Sequence, residues 1–107
     1  MKISGFEEMV LLTVGSLGDN AYGVTIKETL EKTIGKNQSI GALHAALFRL
    51  EDQGHLSSRE GGATHDRGGR KKKYYKLTAY GRKALISMHS VRMDLARQIL
   101  DLRLSGR

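Results

Sequence analysis

The chain has 107 residues, and 18 Lys plus Arg against 11 Asp plus Glu give it a formal charge of +7. That length supports one small domain, and a hydrophobic share of 39% suits a modest core rather than a membrane protein. Cys is absent, which excludes disulfides, thiolate metal sites and a thiol nucleophile, and apolar runs such as Met9–Leu12 fall far short of a span of ~20 residues.

Phe6, Met9, Val10, Val14 and Leu17 recur at intervals of three and four, which predicts a first helix. Ser4 is its N-cap, and Gly18, Asp19 and Asn20 form the stop and turn. Glu7 and Glu8 sit where a secretory leader would need apolar residues; they and the pair Glu51 and Asp52 read as solvated helix surface. A second helix follows with Tyr22, Ile26, Leu30 and Ile34 on one side, ending at Gly35. A third begins after Ser39, carries the stripe Ile40, Leu43, Leu47 and Leu50, and closes at Gly54. Its other face presents Gly41, Ala42, His44, Ala45, Phe48 and Arg49. Core packing does not require that face to be small; close approach to another surface does.

The period then changes. His55 to Glu60 predicts a strand with Leu56 inward, and Lys72 to Leu77 a second, with Tyr75 and Leu77 opposite Lys72, Tyr74 and Lys76. Gly61 to Gly69 holds four glycines and reads as a loop, expected to be mobile over residues 62–69 without a ligand. Residues 59–83 hold nine basic groups against Glu60 and Asp66, so this window carries the whole net charge of +7. Such segregation points to a polyanionic partner. A membrane surface would favour an amphipathic basic helix over this glycine-rich stretch.

Thr78 caps a last helix running to about Leu104, with the stripe Leu85, Met88, Val91, Leu95, Ile99 and Leu102. At ~1.5 Å per residue it is a rod of about 40 Å, more than a small domain can cover. The simplest cover is the same helix of a second chain, which makes this stripe the expected dimer interface.

Three helices, a hairpin and a helix (α-α-α-β-β-α) are the order of a winged helix-turn-helix domain, mainly α with a small β-hairpin. Its third helix enters the major groove and its hairpin, the wing, meets the backbone or minor groove. The division expected is residues 1–77 for DNA binding and 78–107 for dimerisation. The sequence also resembles the PadR-like transcriptional regulators over roughly residues 6–86. The matching motifs are Ala21-Tyr22-Gly23-Val24-Thr25-Ile26, the third helix from Ser39 to Glu51 with Gly54, and the wing from Arg67 to Thr78 with Gly81. Departures fall where Thr-Leu-Tyr is usual and Ala42-Leu43-His44 stands, and at Phe48, where the family often has a charged residue. They bear on sequence preference more than on fold. The C-terminal part is similar to the subgroup with a single dimerisation helix.

The resemblance implies a homodimeric, sequence-specific repressor of the cytoplasm, bound to a pseudo-palindromic duplex operator. Ser39, Gly41, Ala42 and His44 approach the bases in this reading. Tyr22, Arg67, Gly69, Arg70, Lys71, Lys72, Lys73 and Tyr74 serve the backbone or minor groove. The alternative is a winged-helix interaction module for an acidic protein or structured RNA, since fold alone does not choose. His44, His55, His65 and His89 lack the pairing of a helical metal site, and neither a phosphate loop nor a nucleophile elbow occurs. No cofactor, metal or catalysis is expected. Met88 and Met93 offer a small-molecule effector site at the dimer interface as a lesser alternative, without the tryptophan that multidrug-binding relatives stack on ligands.

Overall fold

A computed structural model describes residues 3–63 and 71–104. The elements run α1 (Gly5–Leu17), a 3₁₀ turn (Gly18–Asn20), α2 (Gly23–Ile34), α3 (Ile40–Asp52), β1 (Leu56–Ala63), β2 (Lys71–Leu77) and α4 (Ala79–Leu104). The expected wing-tip residues Arg67, Gly69 and Arg70, and the mobility expected of residues 62–69 as a loop, lie largely outside the described residues.

Helix α1 starts with a capping box. The Glu7 amide donates to Ser4 Oγ at 3.1 Å, and the Ser4 amide donates to Glu7 Oε1 at 2.9 Å. Its buried face is Val10, Leu11 and Val14, while Phe6, Met9 and Leu17 only pack against the core's margin. From α2 come Ile26 and Leu30, and from α3 Leu43, Ala46, Leu47 and Leu50. Ile40, expected in that stripe, is 50% exposed. At about 100° per residue it falls to one side of the line through the four buried positions.

The turn after α3 needs a left-handed residue, and Gly54 supplies it with φ +85°. His55 does not open the strand as expected. It is buried in the turn, its amide donating to the Leu50 carbonyl at 2.8 Å, and β1 starts one residue later. The strands pair antiparallel from Leu56 opposite Leu77 to Ala63 opposite Lys71, with a shift between Glu60 and Ala63. Gly61 and Gly62, expected in the loop, thus belong to β1. Ladder pairing uses backbone groups, and Gly61 also leaves room for the Tyr74 ring, whose Cε1 lies 2.2 Å from where a Cβ would stand.

Thr78 clips α4 onto the turn: its hydroxyl donates to the Gly54 carbonyl at 2.6 Å and accepts the Gly81 amide at 2.9 Å. Leu85 then joins the chain's own core and Met88 packs on its edge. Beyond them Val91, Met93, Leu95, Ile99 and Leu100 are exposed.

Of the acids expected on solvated helix surface, Asp52 lies there, but Glu7 and Glu8 do not and Glu51 is half-buried. Glu7 and Glu8 are both buried, Glu7 accepting from Arg49 Nε at 2.7 Å and Glu8 from Arg92 Nη2 at 2.6 Å. Glu51 accepts from the Ser58 hydroxyl and lies 3.3 Å from Lys73 Nζ, whereas Asp52 is exposed. Each buried carboxylate has a cation brought to it by another element.

Candidate nucleic-acid interface

Helix α3 turns Gly41, Ala42, His44, Ala45, Phe48 and Arg49 outward, all exposed. Ser39 caps it by accepting the Ala42 amide at 3.1 Å, so the helix presents its N-terminal turns with Ser39 at their edge. Beside it, Tyr22 is the N-cap residue of α2 and also forms a β-bridge with Tyr74. The Tyr75 amide donates to the Ala21 carbonyl at 2.8 Å, which fastens the start of α2 to the outer edge of β2. The helix-turn-helix and the wing are therefore joined through the backbone at this point.

Strand alternation sorts the wing's charges. Lys72 and Tyr74 face Tyr22: the two tyrosine rings meet edge to face at 5.3 Å, and Lys72 Nζ stands 4.2 Å from the Tyr22 ring centre. Arg59 from β1 lies over the other ring, 4.8 Å from the Tyr74 centre. Lys73 takes the opposite side, with Tyr75, and is tied to Glu51 on α3. Its neighbours hold the Lys73 ammonium in its charged form, pushing its pKa up, while burial raises that of Tyr75. The Ser58 hydroxyl and then Lys73 hold the Glu51 carboxyl below its ordinary range. Lys71 opens β2.

Between these elements runs a groove of about 600 Å³, walled by Tyr22 and Val24 from α2, His44, Leu47 and Phe48 from α3, and Lys72 and Lys73 from β2. Its floor is apolar and its rim cationic. Met88, by contrast, lines a separate open groove with His55, Tyr80 and Lys83. Among the described residues no cluster of three or more acids, histidines or cysteines could hold a metal, and no helix is long and apolar enough to cross a membrane.

Residues 11–87 match the profile of the "Transcriptional regulator PadR-like family". The chain belongs to the PadR-like family. The fold of this PadR-like chain agrees with that of solved members. A PadR-like transcription factor from Bacteroides fragilis superposes with a TM-score of 0.73 at 24% identity, covering 91% of this chain and 88% of that one. A PadR-like regulator from Bacillus cereus gives 0.73 at 22% identity, covering 95% and 93%. A PadR-family regulator from Eggerthella lenta gives 0.67 at 26% identity, covering 92% and 83%. No curated protein matches the sequence.

PadR-like proteins are transcriptional regulators that bind DNA, and DNA-binding regulation is the role the family gives this chain. The structure brings Tyr22, His44, Lys72 and Lys73 to one groove, with Tyr74 against the Tyr22 ring and Lys73 also tied to Glu51. Arg59 joins them unforeseen. Its only sequence signal was its place in the basic window, and its link to Tyr74 depends on a strand register that local pattern does not reveal.

Proposed function

We propose that this chain is a homodimeric repressor that binds a pseudo-palindromic duplex, one half-site per winged helix. The observation that carries the reading is the shared groove, which sets the small-faced α3 and the cationic root of the wing side by side. Ser39, Gly41, Ala42 and His44 enter the major groove. Tyr22, Arg59, Lys72 and Tyr74, with Arg67, Gly69, Arg70 and Lys71 farther along the wing, take phosphates or the minor groove. Lys73 steadies the wing against α3 through Glu51 instead of serving as a free phosphate contact.

Dimerisation rests on α4. Val91, Leu95 and Ile99 recur every fourth residue on an exposed face that the chain's own core leaves bare, and Leu102 follows Ile99 by three positions in the sequence. A twofold axis there pairs the two copies of α4 and presents two α3 helices to one face of the duplex. Occupying a promoter is sufficient for repression and needs no activating contact.

The test is an unbiased selection of bound sequences from random duplexes at physiological salt. The expected outcome is a two-fold-related consensus with half-sites about one helical turn, or a multiple of it, apart. Retained duplexes with no enriched sequence, or preferential capture of an acidic protein or structured RNA, would replace the repressor by an interaction module.

A further inference from the structure

The outward face of α3 is poor in hydrogen-bonding groups. Of the exposed side chains from Gly41 to Arg49, only those of His44 and Arg49 carry donors, and Arg49 Nε already donates to Glu7. Phe48, by contrast, is 71% exposed, though it sits on a helix whose other face supplies the core. It is not isolated. Ala45 lies one turn before it on the same outer face, and Val24 and Leu47 share its groove. Lys72 and Tyr22 border that groove, so an apolar floor is framed by groups that suit phosphates.

A duplex offers one apolar group at a sequence-specific place in its major groove, the C5-methyl of thymine. Phosphates flank it, as the cationic rim flanks the floor. We propose that Phe48, with Ala45 beside it, reads thymine methyl groups, so that each half-site holds at least one thymine whose methyl sets the affinity. The inference rests on the duplex-binding reading above and adds what that reading leaves open, the chemical feature by which the operator is recognised. His44 then supplies a hydrogen bond, and Phe48 the apolar contact.

The experiment replaces thymine by uracil, position by position, in the duplex enriched by selection, and measures affinity by fluorescence anisotropy. Uracil keeps every hydrogen-bonding edge and removes only the methyl. For the wild-type chain, affinity should fall about fourfold at one or two positions per half-site, the effect of one buried methyl. For Phe48→Ala, whose side chain lies outside the core, those positions should become indifferent to the replacement. An operator indifferent to uracil throughout overturns this inference and leaves the repressor standing, as does a Phe48→Ala chain with undiminished sensitivity. A wild-type chain that enriches no duplex overturns both. A protein seated on Phe48 in place of DNA would show as indifference to uracil.

Discussion

Arg92 on α4 donates to both carboxylate oxygens of Glu8 on α1, at 2.6 and 3.1 Å. One residue earlier on the same turn, Glu7 accepts from Arg49 on α3 at 2.7 Å. Two consecutive acids therefore fasten the helix proposed to face DNA and the helix proposed to dimerise to a single turn of α1. The Ser4 amide, with Arg49, holds the Glu7 carboxyl below its ordinary range, and the pairing with Glu8 keeps Arg92 charged. A forked guanidinium also fixes angle as well as distance, so α4 leaves the domain in a set direction.

Removing one member of such a pair strands the other. Arg92→Ala should lower the thermal midpoint by leaving Glu8 buried without a partner, and adding Glu8→Gln should recover part of the loss. The double-mutant cycle is read from melting curves. Strictly additive effects would mean that the two groups do not act on one another.

Gly81 lies where α4 crosses the turn after α3. A Cβ there would stand 2.1 Å from the His55 carbonyl oxygen, a backbone atom that the Thr78 amide already holds. Gly81→Ala must push the helix off the turn, and the expected cost is about 2–3 kcal/mol in urea denaturation. Gly5→Ala meets nothing within 4 Å and should be neutral or slightly stabilising. Equal midpoints for the two variants would show that α4 shifts freely.

The helices and the basic window were legible because their signals are local. Ser4, Ser39 and Thr78 cap where their residue types predict, and most of the apolar repeats of α1, α2 and α3 point inward. The ion pairs were not legible, since Glu7 and Arg49 are 42 positions apart and Glu8 and Arg92 are 84 apart. Glycines hid the end of β1 because strand pairing there is made by the partner backbone, not by the side chains a pattern can count. The same holds for the wing. Its total charge shows in the sequence, but which lysine is tied to Glu51 depends on strand parity and on where α3 ends.

Stability should fall as mild acid is approached. Burial holds the His55 ring neutral, its pKa below the usual 6.5, against an opposing pull from Glu7. The unfolded chain takes up a proton near pH 6.5 while the folded chain does not. The stabilisation is thus present above that value and lost as pH falls through the window beneath it. The carboxyls of Glu7 and Glu51, held low, lose theirs only below about 4.5. His55→Phe keeps a ring against Tyr80, which stacks on it at 4.8 Å, and removes the unpaired Nδ1. Urea midpoints at about pH 7.5 and about pH 5.5 should differ in the wild type and converge in the variant. An unchanged difference would assign the effect to other groups.

Deleting residues 94–107 removes Leu95 and Ile99, which stand exposed on α4, but leaves Leu85 and Met88 to complete the core. The shortened chain should fold and sediment as a monomer at roughly tens of micromolar, where the full chain should sediment as a dimer. A full-length monomer at that concentration would remove α4 as the dimer element.

Affinity and specificity should separate between the wing and α3. Lys72 stands over the Tyr22 ring at the groove's rim, suited to a phosphate, whose attraction comes from charge and counterion release and is blind to sequence. Lys72→Ala should weaken binding to every duplex by similar factors and reduce the salt slope by about one unit. Lys73→Ala should change that slope less and cost more thermal stability, because its ammonium is engaged by Glu51. His44 is exposed on α3, within the groove, and its ring carries a donor suited to a base edge. His44→Ala should relax preference at one base pair per half-site, at a cost of ~1–3 kcal/mol there, with little change on random duplex. Matched titrations of operator and random duplex across a range of salt concentrations decide it. If His44→Ala lowers both affinities equally while Lys72→Ala loses only the operator, the two roles are reversed, and the wing rather than α3 carries the sequence reading.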